Sequence, residues 1–148
     1  MLLRDIMTEQ VVTASPATPV HRVAELMRDR NVGSVVLADD AGRPVGMVTD
    51  RDLAITVLAG RGDTGAAAGD CATSPVVTGE PDMALEEAAG LMVGHRIRRL
   101  PVMEGESLVG IVTLDDIAVR TGNLEVAQRM TQDVIEGALP GFFFHERG

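Results

Sequence analysis

Gly46-Met47-Val48-Thr49-Asp50-Arg51-Asp52 recurs as Gly110-Ile111-Val112-Thr113-Leu114-Asp115-Asp116. In each copy a glycine, two apolar residues and a threonine are followed, three positions on, by an aspartate. That is the pattern of a strand running into a helix N-terminus. Two copies point to a domain built twice from one unit, and so to two related clefts.

The repetition extends upstream in the same register. Asp5-Ile6-Met7-Thr8 matches Asp70-Cys71-Ala72-Thr73, and Val11-Val12-Thr13 matches Val76-Val77-Thr78. Val20, Ala24 and Met27 fall on Leu85, Ala89 and Met92, while Val32 falls on Ile97 and Leu37 on Val102. Each copy reads β-α-β-β-α, an α+β fold. A short Val-Val-Thr strand leads into a helix over 18–30 or 82–95. Thr18-Pro19 and Asp82 are expected to open these helices, Thr and Asp as caps and Pro in the first turn. Strands 34–37 and 44–48, with partners 100–102 and 108–112, follow around Asp39-Asp40-Ala41-Gly42 and Glu104-Gly105-Glu106. Helices 51–59 and 115–120 close the units. The expected organisation is repeat 1 over 1–60, a Gly/Ala-rich linker over 61–69, repeat 2 over 70–122 and a C-terminal segment over 123–148. Within that segment 124–139 reads as an amphipathic helix, ended by Pro140-Gly141. Phe142-Phe143-Phe144, the only aromatics, are expected to dock on a partner subunit or on the protein's own surface, or to pack on the preceding helix.

Thirteen basic against twenty-two acidic side chains give a net charge of −9 over 148 residues. Such a balance argues against non-specific nucleic-acid binding, which needs a basic surface. It leaves room for a small anion held by a local basic cluster. No stretch approaches the ~20 apolar residues of a membrane helix. The N-terminus lacks the apolar core of a signal peptide, so a cytoplasmic location without membrane association is the expectation. Cys71 is the single cysteine, which rules out an internal disulfide. His21, His95 and His145 share no metal-ligand spacing, and no metal site is expected. Neither a phosphate loop nor a dinucleotide fingerprint is present, and no nucleophile–base arrangement is legible. The chain does not read as an enzyme.

Two β-α-β-β-α units ending in Gly-h-h-Thr-x-x-Asp, where h is apolar, resemble a tandem cystathionine-β-synthase (CBS) domain pair, or Bateman module. The resemblance covers residues 3–121. It is similar in particular to stand-alone bacterial CBS-pair proteins, through Arg98-Arg99-Leu100-Pro101-Val102 and Thr49-Asp50-Arg51-Asp52-Leu53. It implies two repeats packed with pseudo-twofold symmetry, homodimerisation, and clefts that take an adenosine-containing ligand: AMP, ADP, ATP or S-adenosylmethionine. No cofactor is obligatory. It further implies regulation of an unidentified partner protein, without chemistry of the module's own. The alternative is a structural or stress-response dimer whose clefts are vestigial or hold metal.

The residue types suit a nucleoside. A strand-to-helix turn offers free N–H groups and the positive end of a helix dipole. An aspartate can accept both hydrogen bonds of a ribose diol. The glycine is expected to keep one wall low for a planar base. Thr-x-x-Asp is equally a capping-box start for the helix, and that reading stays open beside the first.

Mapped through the resemblance, cleft A uses Met47, Thr49, Arg51 and Asp52 with Val77, Ile97, Arg98 and Arg99. Cleft B uses Ile111, Thr113, Asp115 and Asp116 with Val12, Val32 and Gly33. Cleft A thus gathers three guanidinium groups suited to phosphate. Cleft B has Asp115 in place of Arg51, and Gly33-Ser34 in place of Arg98-Arg99. It is expected to take an uncharged or cationic adenosyl group, to bind only weakly, or to stay empty.

Overall fold

A computed structural model describes residues 1–60, 62–73 and 76–121, together with Gln128 and Gln132. The expected C-terminal helix and Phe142–Phe144 lie outside the described residues.

The first repeat builds β1 (Thr13–Ala14), α2 (Val20–Arg30), β2 (Ser34–Ala38), β3 (Pro44–Thr49) and α3 (Asp50–Leu53), which runs on as a π-helical stretch, Ala54–Ala59. The second builds α5 (Leu85–His95), β4 (Arg99–Glu104), β5 (Ser107–Thr113) and α6 (Leu114–Thr121). Two short helices lie at the openings of the repeats, α1 (Leu3–Ile6) and α4 (Ala68–Cys71). In the first repeat β1 runs parallel to β2, and β2 pairs antiparallel with β3, Ser34 facing Thr49 and Val36 facing Met47.

The second repeat pairs β4 with β5. Its leading Val76-Val77-Thr78 is not a strand. The parallel pairing is reduced to one bridge, Gly79 to Val102. A side chain at Gly79 would collide with Leu3 Cδ1 at 2.8 Å and Leu100 Cδ2 at 3.0 Å, so this position has given up its strand surface to core packing.

The helices open differently from expectation. Pro19 and Ala84 are the N-caps, and neither provides a side-chain cap. Thr18 Oγ1 instead accepts the Ser15 amide at 3.1 Å, and Asp82 pairs with Arg4. The orphan amides of the first turn find backbone acceptors on the short leading segments. The Val20 amide donates to the Ala66 carbonyl (2.9 Å) and the His21 amide to the Thr64 carbonyl (3.1 Å). In the same way the Leu85 amide donates to the Met1 carbonyl (3.0 Å). The Gly/Ala-rich stretch is therefore more than a spacer, since from Thr64 to Cys71 it packs on the first repeat.

These contacts decide the two compact units. One comprises Met1–Glu9, Val77–Glu104 and the chain from Val109; the other comprises Gln10–Val76 with Gly105–Leu108. The segment that opens repeat 1 thus belongs to the unit holding the rest of repeat 2, and the segment that opens repeat 2 belongs to the unit holding the rest of repeat 1. Leu3 and Ile6 lie buried with Ala88, Met92, Leu100 and Ile117. Burial of side chains of this size contributes about 1.5–3 kcal/mol each. Of their counterparts, Ala68 is buried with Val20, Val23, Val35 and Val48, and Cys71 is partly buried against them. Among the described residues neither core contains a buried polar side chain.

Candidate ligand-binding turns

The two Thr-x-x-Asp turns close as full capping boxes. At the first, the Asp52 amide donates to Thr49 Oγ1 (3.2 Å) and the Thr49 amide donates to Asp52 Oδ2 (2.9 Å). At the second, the Asp116 amide donates to Thr113 Oγ1 (3.0 Å) and the Thr113 amide to Asp116 Oδ2 (2.9 Å). The capping role of the motif is realised in both copies. It uses one carboxylate oxygen and one hydroxyl lone pair at each turn. The second carboxylate oxygen and the hydroxyl proton have no partner among the described residues, and both can meet a diol.

Strand alternation orients the residues leading into each turn. On β3, Gly46 and Val48 are buried on the side of the helices, and Met47 and Thr49 are half-buried on the other. The leading segment of repeat 2 runs beside this strand. Thr73 and Met47 exchange both backbone hydrogen bonds, at 2.9 and 3.1 Å. Thr8 and Ile111 do the same in the other unit, at 2.9 Å each way. Sequence alone does not pair these residues; its one signal is that Asp5–Thr8 and Asp70–Thr73 repeat in register.

The motif glycines answer to that packing. A Cβ on Gly46 would lie 3.1 Å from Ala72 Cβ, and one on Gly110 would lie 2.6 Å from Met7 Sδ. Both faces are filled by the leading segments, so the glycines make room for a crossing chain and not for a planar base.

The remaining expected residues divide between the units. Met47, Thr49, Arg51 and Asp52 lie in the first-repeat unit with Val12, Val32 and Gly33. Ile111, Thr113, Asp115 and Asp116 lie in the other with Val77, Ile97, Arg98 and Arg99. Val12 and Val32 pack on the first core, Val77 and Ile97 on the second. Within each unit the chain entering the sheet abuts its own turn. The Asp50 amide donates to the Gly33 carbonyl (3.0 Å), and the Leu114 amide to the Arg98 carbonyl (3.2 Å). Arg51, Arg98 and Asp115 are exposed, and Arg99 is half-buried. The turn with Arg51 therefore has uncharged Gly33-Ser34 beside it, and the turn with Asp115 has Arg98-Arg99.

A hollow of about 540 Å³ lies elsewhere on the first-repeat unit, between α2 and the π-helical stretch. Val20, Ala24, Leu53 and Val57 line it, and none of the turn residues named above does. Cys71 is partly buried and its thiol donates to the Ala68 carbonyl (3.3 Å). Burial pushes its pKa up, so the thiolate that binds metal is disfavoured. Among the described residues no group of three or more His, Cys, Asp or Glu is placed to hold a metal ion, and no helix is long and apolar enough to cross a membrane.

The CBS domain model matches the chain twice, over residues 3–58 and 68–120. A CBS domain-containing protein of Bacillus subtilis, YhcV, is 40% identical over 125 residues, covering 84% of this chain and 89% of its own. Among solved structures, Hypoxic Response Protein I with two coordinated zinc ions superposes with a TM-score of 0.71 at 34% identity, covering 80% of this chain and 97% of that one. The CBS domain pair of MJ0100, in complex with 5′-methylthioadenosine and S-adenosyl-L-methionine, gives a TM-score of 0.74 at 25% identity, covering 84% of this chain and 98% of that one.

Proposed function

This chain belongs to the CBS domain family as a tandem pair, and from that premise we propose that it is a regulatory module binding an adenosine-containing ligand, without chemistry of its own. The observation that carries the reading is the pair of Thr-x-x-Asp turns. Each leaves a carboxylate oxygen and a hydroxyl proton uncommitted next to a helix N-terminus. The adenosyl ligands in the MJ0100 pair support it.

The two turns take different ligands. Arg51 flanks Thr49 and Asp52, so this turn accepts a nucleoside phosphate such as AMP, ADP or ATP. Met47 lies on the same strand face, and the ligand set assigned from sequence adds Val77, Ile97, Arg98 and Arg99. Asp115 flanks Thr113 and Asp116, and an ionised carboxylate repels phosphate oxygens. The second set, Ile111, Thr113, Asp115 and Asp116 with Val12, Val32 and Gly33, therefore prefers an uncharged or cationic adenosyl group. The module acts on an unidentified protein as a cytoplasmic homodimer. Ile55 and Val119 hold equivalent places in the two repeats and are 52% and 80% exposed, which supports self-association.

Calorimetric titration with AMP and ATP tests the assignment. Asp52→Ala and Arg98→Ala are expected to weaken AMP, and Asp116→Ala to leave it unchanged. An Arg98→Ala variant of unchanged affinity beside an Asp116→Ala variant that binds nothing would reverse it. The zinc-bearing neighbour favours a second reading, a stress-response dimer whose clefts hold metal. Stoichiometric metal in the purified protein, with no adenosyl ligand bound, would establish that reading instead.

A further inference from the structure

The hollow between α2 and the π-helical stretch is lined by no residue of either Thr-x-x-Asp box. Val20 and Ala24 on one side and Leu53 and Val57 on the other give it apolar walls around about 540 Å³. A concave apolar site of this size suits bulky side chains. One wall is irregular: Val57 belongs to the stretch Ala54–Ala59, and π-helical turns in place of α-helix are frequent at functional sites.

The sequence holds one unclaimed set of bulky apolar side chains. Phe142, Phe143 and Phe144 are the only aromatics in the chain, and neither described core contains an aromatic ring. Each such side chain carries about 150–250 Å² of surface to bury. Three in a row make an apolar patch larger than a monomer ordinarily leaves open. Twenty residues, 122–141, separate them from the end of α6 at Thr121. That tether spans roughly 65 Å fully extended, or roughly 40 Å with 124–139 helical. A small domain is about 30 Å across, so the rings can reach another face of their own chain. The charges match as well. Glu25 and Arg28 stand on the rim of the hollow, and Glu146 and Arg147 follow the rings. Glu25 and Arg28 are engaged only in surface pairs with Arg22 and Asp29, which are weak enough to exchange.

We propose that the hollow between α2 and the π-helical stretch is the docking site of this chain's own Phe142–Phe144, an intramolecular latch on the first repeat. Leu53, in the wall, directly follows Asp52, so the docked rings pack on the helix that the Thr49–Asp52 turn opens. This docking is independent of the ligand that the turns bind.

The chain has no Trp or Tyr, so Phe143→Trp places a single fluorophore in the tail of the full chain. Its emission is expected to lie to the blue of that of a synthetic peptide of residues 138–148 with the same substitution, and to stay there on dilution. Ala24→Glu, at an exposed position in the wall, is expected to shift the emission to that of the peptide while melting remains cooperative. Ala24→Lys is expected to do the same, since either charge spoils an apolar wall. Ile55→Glu, exposed on the same stretch but outside the hollow, is expected to leave the emission unchanged. Peptide-like emission before any wall substitution would overturn the docking. Blue emission that survives both Ala24 variants, or that Ile55→Glu removes, would place the rings on another surface and overturn the site. Blue emission lost on dilution would make the occupant the tail of a second copy and overturn the intramolecular latch.

Discussion

The turn at Thr49–Asp52 and the turn at Thr113–Asp116 share their backbone and differ in their charges. Both close the same capping box, with the same donors and acceptors at 2.9–3.2 Å. Both are bridged by a threonine of a leading segment. Yet one is flanked by Arg51, with uncharged Gly33-Ser34 beside it, and the other by Asp115, with Arg98-Arg99 beside it. Geometry was copied with the repeat, and electrostatics were not. Because a capping box needs only the threonine and the aspartate, the residue between them could change sign and leave the box intact. The same contrast holds in the cores: Leu3 fills the slot that Ala68 occupies in the other unit.

The largest effect should come from that core difference. Leu3→Ala removes a fully buried side chain and is expected to destabilise the protein by about 2–5 kcal/mol, read from denaturant unfolding. Ala68→Gly in the equivalent place should cost only about 1 kcal/mol. Equal effects would break the view that the two leading segments contribute unequally. Next in size are the glycines. Gly46→Ala presses on Ala72 Cβ at 3.1 Å and should cost about 1–3 kcal/mol. Gly110→Ala meets the Met7 side chain at 2.6 Å and the Thr8 backbone carbonyl at 3.1 Å; Met7 can swing aside and the carbonyl cannot, so its cost is expected in the same range. Asp52→Ala and Asp116→Ala each remove a capping box and should lower stability equally, by about 1 kcal/mol, while only the first affects AMP. Unequal losses of stability would show that the two turns differ in more than charge. The smallest effect concerns Cys71. Burial raises its pKa, so the thiol stays protonated to higher pH than a free cysteine, and its alkylation at pH 8 is expected to be slower than that of a model thiol. Alkylation at the model rate would contradict the packing of α4.

The parts of the molecule legible in sequence are those set by local chemistry. Thr-x-x-Asp is a contact across three residues, so both turns and the strands entering them could be placed from sequence. Helices α2 and α5 were legible from apolar spacing, but their starts were not. Thr18 turns back to Ser15 and Asp82 pairs with Arg4, while carbonyls from remote segments take the free amides. The motif glycines were misread for the same reason. The atoms that demand them belong to Ala72 and Met7, far away in the chain. The exchange of leading segments leaves no local mark, because Leu3 and Ile6 look like any short apolar stretch until their burial is seen.

The central claim is that one turn accepts a nucleoside phosphate and its copy does not. Calorimetric titration of the full chain with AMP, compared among wild type, Asp52→Ala and Asp116→Ala, tests it most directly. The account predicts one AMP per chain, lost in Asp52→Ala and retained in Asp116→Ala. Two equivalent sites per chain, or loss in Asp116→Ala alone, would contradict it.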